Sequence, residues 1–137
     1  MHPKIARLLS AAAISYVEYR HADLPFPINS PADFAHALGR PLEHITKSVF
    51  FRVEPTKTFS LAISSVNRKI NMKQFAALAG GKRVQLASED ELKQFTDYPS
   101  RGVSPLGLDT IPVFLDKTLL DFSTILIGGG EIGVEIE

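Results

Sequence analysis

The sequence has no cysteine, no excess of either charge and no long apolar run, and each absence removes a class of function. Without cysteine there is no disulfide scaffold, thiolate zinc site, iron–sulfur cluster or cysteine nucleophile, so any chemistry rests on hydroxyl, carboxylate, imidazole, ammonium or backbone groups. The 15 Lys and Arg balance 15 Asp and Glu, so no overall field draws in a polyanion, and nucleic-acid contact needs a local patch. No apolar stretch approaches the roughly 20 residues that span a bilayer. Leu8 to Ile14, behind Lys4 and Arg7, makes a poor signal segment, so the N-terminus reads as a helix. The expectation is a cytoplasmic protein with no membrane association. Repeats and low-complexity segments are also missing. What remains is one domain over residues 1–137, 45% hydrophobic and long enough to bury a core without metal or disulfide staples.

Local patterns supply the elements. Pro3 suits a first helical turn, and Ile5, Leu8, Leu9 and Ala12 fall on one helical face. Tyr16 to Arg20 alternates as a strand, and Leu24-Pro25-Phe26-Pro27 breaks it. Ser30-Pro31-Ala32-Asp33 opens a helix that Gly39 and Pro41 end. Residues 45–53 and 58–66 form two β-branched runs joined by Glu54-Pro55-Thr56-Lys57, a hairpin. Asn71 with Gln74, and Ser88 with Glu91, have capping-box spacing and predict helices over 71–79 and 88–95, with a strand over 83–86 between them. A turn-rich stretch over 96–109 follows, then strands over 111–115, 123–127 and 132–136. So long a loop in so small a domain points to function. Strands outnumber helices without strict alternation, which predicts an α+β fold: a mixed, barrel-like β-sheet with outer helices.

Several motifs invite functional readings. Gly128-Gly129-Gly130-Glu131-Ile132-Gly133 satisfies G-x-G-x-x-G, but the residues behind it read as a strand, whereas a dinucleotide site needs a helix there. A glycine turn, or a close approach of backbone to ligand, fits better. Gly102-Val103-Ser104-Pro105-Leu106 has leucine where a nucleophile elbow needs glycine, and Pro105 offers no amide, so Ser104 is a poor hydrolase nucleophile. A rigid loop presenting backbone groups to a ligand is the better reading. His2, His21, His36 and His44 lack metal-site spacing, and no metal or cofactor is expected. Arg68, Lys69, Lys73, Lys82 and Arg83 are either a phosphate patch or scattered helix-face charges. Lys47 interrupts an apolar run and alternates with Ile45, Val49 and Phe51. If that face is interior, its ammonium stands in or beside a cavity and needs a ligand or carboxylate; if not, it is solvated.

Five ordered blocks then add up: Ile45-Thr46-Lys47-Ser48-Val49-Phe50, Leu86 to Leu92, Gly102 to Leu108, Ile111-Pro112-Val113-Phe114-Leu115-Asp116, and Ile127-Gly128-Gly129-Gly130-Glu131. Together they resemble the YbaK and prolyl-tRNA-synthetase-associated editing domain family. The resemblance implies a free-standing aminoacyl-tRNA deacylase that cleaves the ester of a mischarged tRNA, usually tRNA for proline, with no metal and with the terminal ribose hydroxyl positioning or activating water. Its partners would be the tRNA acceptor 3′ end and an aminoacyl-tRNA synthetase. It places Lys47, Gly102, Ser104 and Pro105 in the catalytic set, Lys47 as an anchor for the terminal adenosine and the loop amides as oxyanion donors. It places Thr46, Arg101, Val103, Asp116, Gly128, Gly129 and Gly130 against the substrate, with the glycines making room for it. Two positions depart from the family's glycines: Asp97 stands before Tyr98 and Arg101 before Gly102. Each side chain would alter the loop or narrow the pocket, and Arg101 offers a partner for a tRNA phosphate. A tRNA- or synthetase-binding module of the same fold, impaired in catalysis, is therefore the alternative.

Overall fold

The computed structural model describes residues 1–137 and opens with α1 (Pro3–Ala11), where the His2 ring accepts from the Lys4 amide. Ile5 and Leu9, one turn apart, are buried, whereas Leu8 and Ala12, expected on the same face, are exposed. The buried stripe is thus a single i, i+4 row. The strand expected over 16–20 shortens to β1 (Glu18–Arg20). In α2 (Pro31–Leu38) the Ser30 hydroxyl accepts from the Asp33 amide, and Gly39 ends the helix at φ +61°. The predicted hairpin is β2 (Thr46–Glu54) and β3 (Thr58–Ser65), in register from Thr46 opposite Ser65 to Val53 opposite Thr58.

Three further elements follow, α3 (Met72–Leu78), β4 (Arg83–Leu86) and α4 (Glu89–Thr96). Asn71 caps α3 through the Gln74 amide, and Ser88 and Glu91 close a full capping box at α4. The chain ends in β5 (Val113–Leu115), β6 (Ile127–Gly128) and β7 (Val134–Ile136). Most of the strand expected over 123–127 is irregular, and a 3₁₀ turn over Lys117–Asp121 precedes it. The glycine-rich motif is the turn between antiparallel β6 and β7, not the mouth of a helix.

The sheet is mixed but not barrel-like, contrary to the expectation. There are two sheets: four strands in the order β4-β2-β3-β5, with β3 and β5 parallel, and three in the order β1-β7-β6. A single bridge, Ile45 to Leu126, links them. Closure fails because the strands flanking the long hairpin run only three or four residues, too short to carry a ladder around a barrel. Both faces of the hairpin are covered instead. Phe51 and Val53 pack with Phe75 of α3, while Phe50 packs with Leu61, Leu92 of α4 and Ile111. Each such side chain contributes about 1.5 to 3 kcal/mol on full burial. A third cluster, Phe34, Ala35, Ile45 and Leu126, lies where the sheets meet and closes one wall of the site. No helix is long and apolar enough to cross a membrane.

Candidate functional site

Where the start of β2 passes β6 and β7, the chain leaves a cleft of two adjoining compartments. The smaller, about 210 Å³, is lined by Thr46, Lys47, Ser48, Arg101, Gly102, Val103 and Gly128 among others. The larger, about 460 Å³, runs on toward His21, Ser30 and Phe34. Thr46, Arg101 and Glu135 line both. The loop after α4 thus faces the first residues of β2, as the functional reading of the loop requires. Of the predicted residues, Thr46, Lys47, Arg101, Gly102, Val103 and Gly128 come together here.

The others do not line it. Ser104 is fully buried, and its hydroxyl accepts from the Leu106 amide at 3.3 Å, which braces the loop from within. Pro105 is absent from the cleft lining, as are Gly129 and Gly130, both buried. Asp116 lines a separate hollow of about 460 Å³ with Arg68, Lys69 and Lys117. There it accepts from Arg68 Nε at 2.9 Å and from the Thr118 amide and hydroxyl. Burial opposes its ionisation, but those hydrogen bonds prevail and hold the carboxyl below its ordinary value. Lys82 and Arg83 border another hollow beside Glu54, so the five basic residues make no single patch.

The glycines make room for protein rather than for ligand. A Cβ on Gly128 would stand 2.2 Å from the Val103 carbonyl oxygen, and one on Gly102 would stand 2.5 Å from the Glu131 carbonyl carbon. The loop and the β6–β7 turn are therefore packed backbone to backbone, which fixes the cleft wall. Tyr98, completely buried, pins the same loop by donating to the Leu106 carbonyl at 2.6 Å. Burial pushes its phenol above the ordinary range. Lys4 sits 3.9 Å from the centre of the Tyr98 ring and donates to the Thr96 carbonyl.

The two positions at which the resemblance leads one to expect glycine, Asp97 and Arg101, now separate. Asp97 takes φ +63° at the end of α4, a conformation that favours glycine, and is held there by Lys93 at 2.7 Å and His2 at 3.3 Å. It does not line the cleft. Arg101 does, in both compartments. Within the loop the Gly102 amide is tied to the Pro99 carbonyl at 3.0 Å, while the Val103 amide makes no bond within the chain. Lys47 resolves the question of faces: it alternates with Phe51 and Val53, on the α3 side, and its ammonium donates to the Arg68 carbonyl.

Three further residues line the cleft that the sequence did not mark as part of a site: Glu135, Ser48 and His21, the last weighed only as a metal ligand. Glu135 alternates with buried Val134 and Ile136, so the pattern reads it as a solvent residue, but the outer face of β7 is the cleft wall. Burial pushes its carboxyl up to about 7. Its neighbour His21 is driven the other way, below its ordinary value, by the same desolvation. Ser48 Oγ is buried without a partner. A lone acid between two apolar strand residues, just after a glycine turn, was the available signal.

An aminoacyl-tRNA editing domain model matches residues 27–136. The chain belongs to the aminoacyl-tRNA editing domain family. It is 27% identical over 109 residues to a proline–tRNA ligase of Staphylococcus saprophyticus, covering 80% of this chain and 19% of the ligase. It is 28% identical over 78 residues to EbsC of Enterococcus faecalis, named as a candidate Cys-tRNA(Pro)/Cys-tRNA(Cys) deacylase, covering 56% of this chain and 48% of that protein. The chain thus spans about a fifth of the first relative and about half of the second. A solved structure described as a candidate trans-editing enzyme for prolyl tRNA synthetase shares the fold of this editing domain, with a TM-score of 0.80 at 24% identity over 99% of this chain and 86% of that one.

Proposed function

We propose that this editing domain acts in trans, hydrolysing the ester that joins a small non-cognate amino acid to the 3′ end of tRNA for proline. The observation that carries the reading is the convergence of β2 (Thr46 to Ser48) and the Arg101 to Val103 loop on one cleft. Lys47 and Arg101 supply positive charge for a terminal phosphate, and the free Val103 amide supplies a donor for the ester oxygen as it becomes an oxyanion. Water attacks the ester carbon, the bond to the ribose 3′ oxygen breaks, and that oxygen leaves with a proton; the ribose 2′ hydroxyl beside it orients the water. The Lys47 ammonium exchanges the Arg68 carbonyl for the substrate, which its flexible stem permits. A compartment of about 210 Å³ admits small side chains, the sieve by which editing sites gain selectivity that a few methylenes cannot give elsewhere. The relative named for Cys-tRNA(Pro) makes cysteine the first amino acid to try.

A second reading, a tRNA- or synthetase-binding module without turnover, is favoured by Arg101 in the cleft wall and by the Gly102 amide being already bonded. Deacylation of mischarged tRNA for proline, followed beside salt-dependent binding of the uncharged tRNA, separates the two. Release of amino acid above the spontaneous rate supports the deacylase. Binding that weakens with salt and is never accompanied by release supports the module.

A further inference from the structure

Glu135 is the only carboxylate lining either compartment of the cleft, and it sits where they join. It also lacks a proper partner. The nearest basic group is His21, whose Nε2 lies 3.5 Å from Glu135 Oε1, past good hydrogen-bonding distance. That nitrogen is itself buried and makes no hydrogen bond. Lys47 and Arg101 share the cleft lining, yet neither forms an ion pair with the carboxylate. The contrast with Glu137, two residues along the same strand edge, is sharp: Glu137 is held by Arg40, Thr124 and Tyr19. A partly exposed carboxylate without a hydrogen bond, on the wall of the cleft and backed at 3.5 Å by a buried imidazole nitrogen that has no partner, describes a receptor for a compact cation with several N–H donors.

An aminoacyl ester carries one such group beside its reacting carbon, the free α-ammonium. Resting on the editing reading above, we propose that Glu135, assisted by His21, receives the α-ammonium of the aminoacyl group and so restricts the site to substrates with an unblocked amine. A primary ammonium brings three donors, of which one meets the Glu135 carboxylate and one the His21 Nε2. Burial keeps His21 neutral and able to accept, and the same burial raises the Glu135 carboxyl, so an arriving cation restores a charge that the empty cleft disfavours. The cleft lining then carries Arg101, and Lys47 once its ammonium leaves the Arg68 carbonyl, for the phosphate, and the Glu135 carboxylate for the amine. Glu135 would be a specificity residue, holding the ester carbon at a set distance from the Val103 amide.

The test uses the whole chain and a non-hydrolysable probe, 3′-alanylamido-3′-deoxyadenosine, with its N-acetyl derivative as the blocked form. Wild type should bind the free amine at least roughly tenfold more tightly than the acetylated form, the ordinary worth of a hydrogen bond to a charged group. Glu135→Gln should lose that preference by weakening only the free amine, and thermal denaturation should find it no less stable than wild type. Equal affinity for both probes in wild type, a variant that weakens both alike, or no binding of either overturns the assignment. Deacylation of aminoacyl-tRNA, measured in parallel, keeps the two readings apart. Turnover without discrimination leaves editing intact and removes Glu135; discrimination without turnover keeps the ammonium receptor and removes the deacylase.

Discussion

The Lys47 ammonium donates to the backbone carbonyl of Arg68, the residue whose guanidinium is clamped by Asp116 at 2.9 Å. Asp116, expected against the substrate, is thus one step removed from the cleft and fixes the segment on which the lysine rests. Asp116→Asn and Arg68→Ala should each lower deacylation a few-fold, and the double variant should be no worse than the poorer single one. The Arg68 side of the pair is half exposed, so breaking the pair should cost less than about 1 kcal/mol of stability. Additive losses in a double-mutant cycle would show that the two act separately.

Glu135 gives a pH-dependent stability with a definite sign. Its carboxyl moves from 4.5 to about 7 on folding, so between these values the folded protein holds a proton that the unfolded chain releases. The stabilisation is complete below about pH 4.5 and disappears as pH rises through 7. The one titratable group within ion-pair distance of it is His21, at 3.5 Å; Lys47 and Arg101 share the cleft lining without pairing with it. Glu135→Gln should therefore gain on wild type by an amount on the order of 2 to 3 kcal/mol between pH 5 and pH 8. Urea denaturation at the two pH values measures this, and parallel pH dependences would contradict it.

Gly128→Ala places a methyl group against the Val103 carbonyl, a backbone atom that cannot swing aside. Destabilisation of roughly 1 to 3 kcal/mol and loss of activity should follow together, since the displaced loop carries the Val103 amide. Wild-type Tm and turnover in this variant would mean that the wall is softer than its packing indicates.

Tyr98→Phe removes the hydrogen bond to Leu106 and leaves a half-buried carbonyl without its donor. About 1 to 3 kcal/mol of stability should be lost, and hydrogen exchange should quicken in the 98–107 segment before it does in β2 and β3. Unchanged exchange there would show that the loop is held by the glycine contacts alone.

Features encoded within a few residues were legible in the sequence. The Ser30 and Ser88 caps, the hairpin around Pro55 and the helix at Pro3 all stand where their residues place them. Joining of the two sheets was not, because it depends on how far short strands pair, and one bridge at Ile45 is all that forms. That the loop and the start of β2 meet on one cleft agrees with what the resemblance implied, but the reason for the glycines was not legible: spacing cannot tell room for a ligand from room for Val103 or Glu131. Glu135 escaped because strand alternation marks a polar residue as outward and cannot say that the outward face is a cleft. Ser104, a poor nucleophile by its neighbours and placed in the catalytic set only by the resemblance, is a buried brace.

The most direct measurement is the rate of ester hydrolysis on tRNA for proline charged in turn with alanine, serine, threonine, cysteine and proline, by wild type and by Lys47→Ala. A small non-cognate amino acid should be released with prolyl-tRNA spared, and the folded lysine variant should lose at least roughly tenfold in rate. No release above the spontaneous rate from any of the five, or equal rates with and without Lys47, would contradict the deacylase reading.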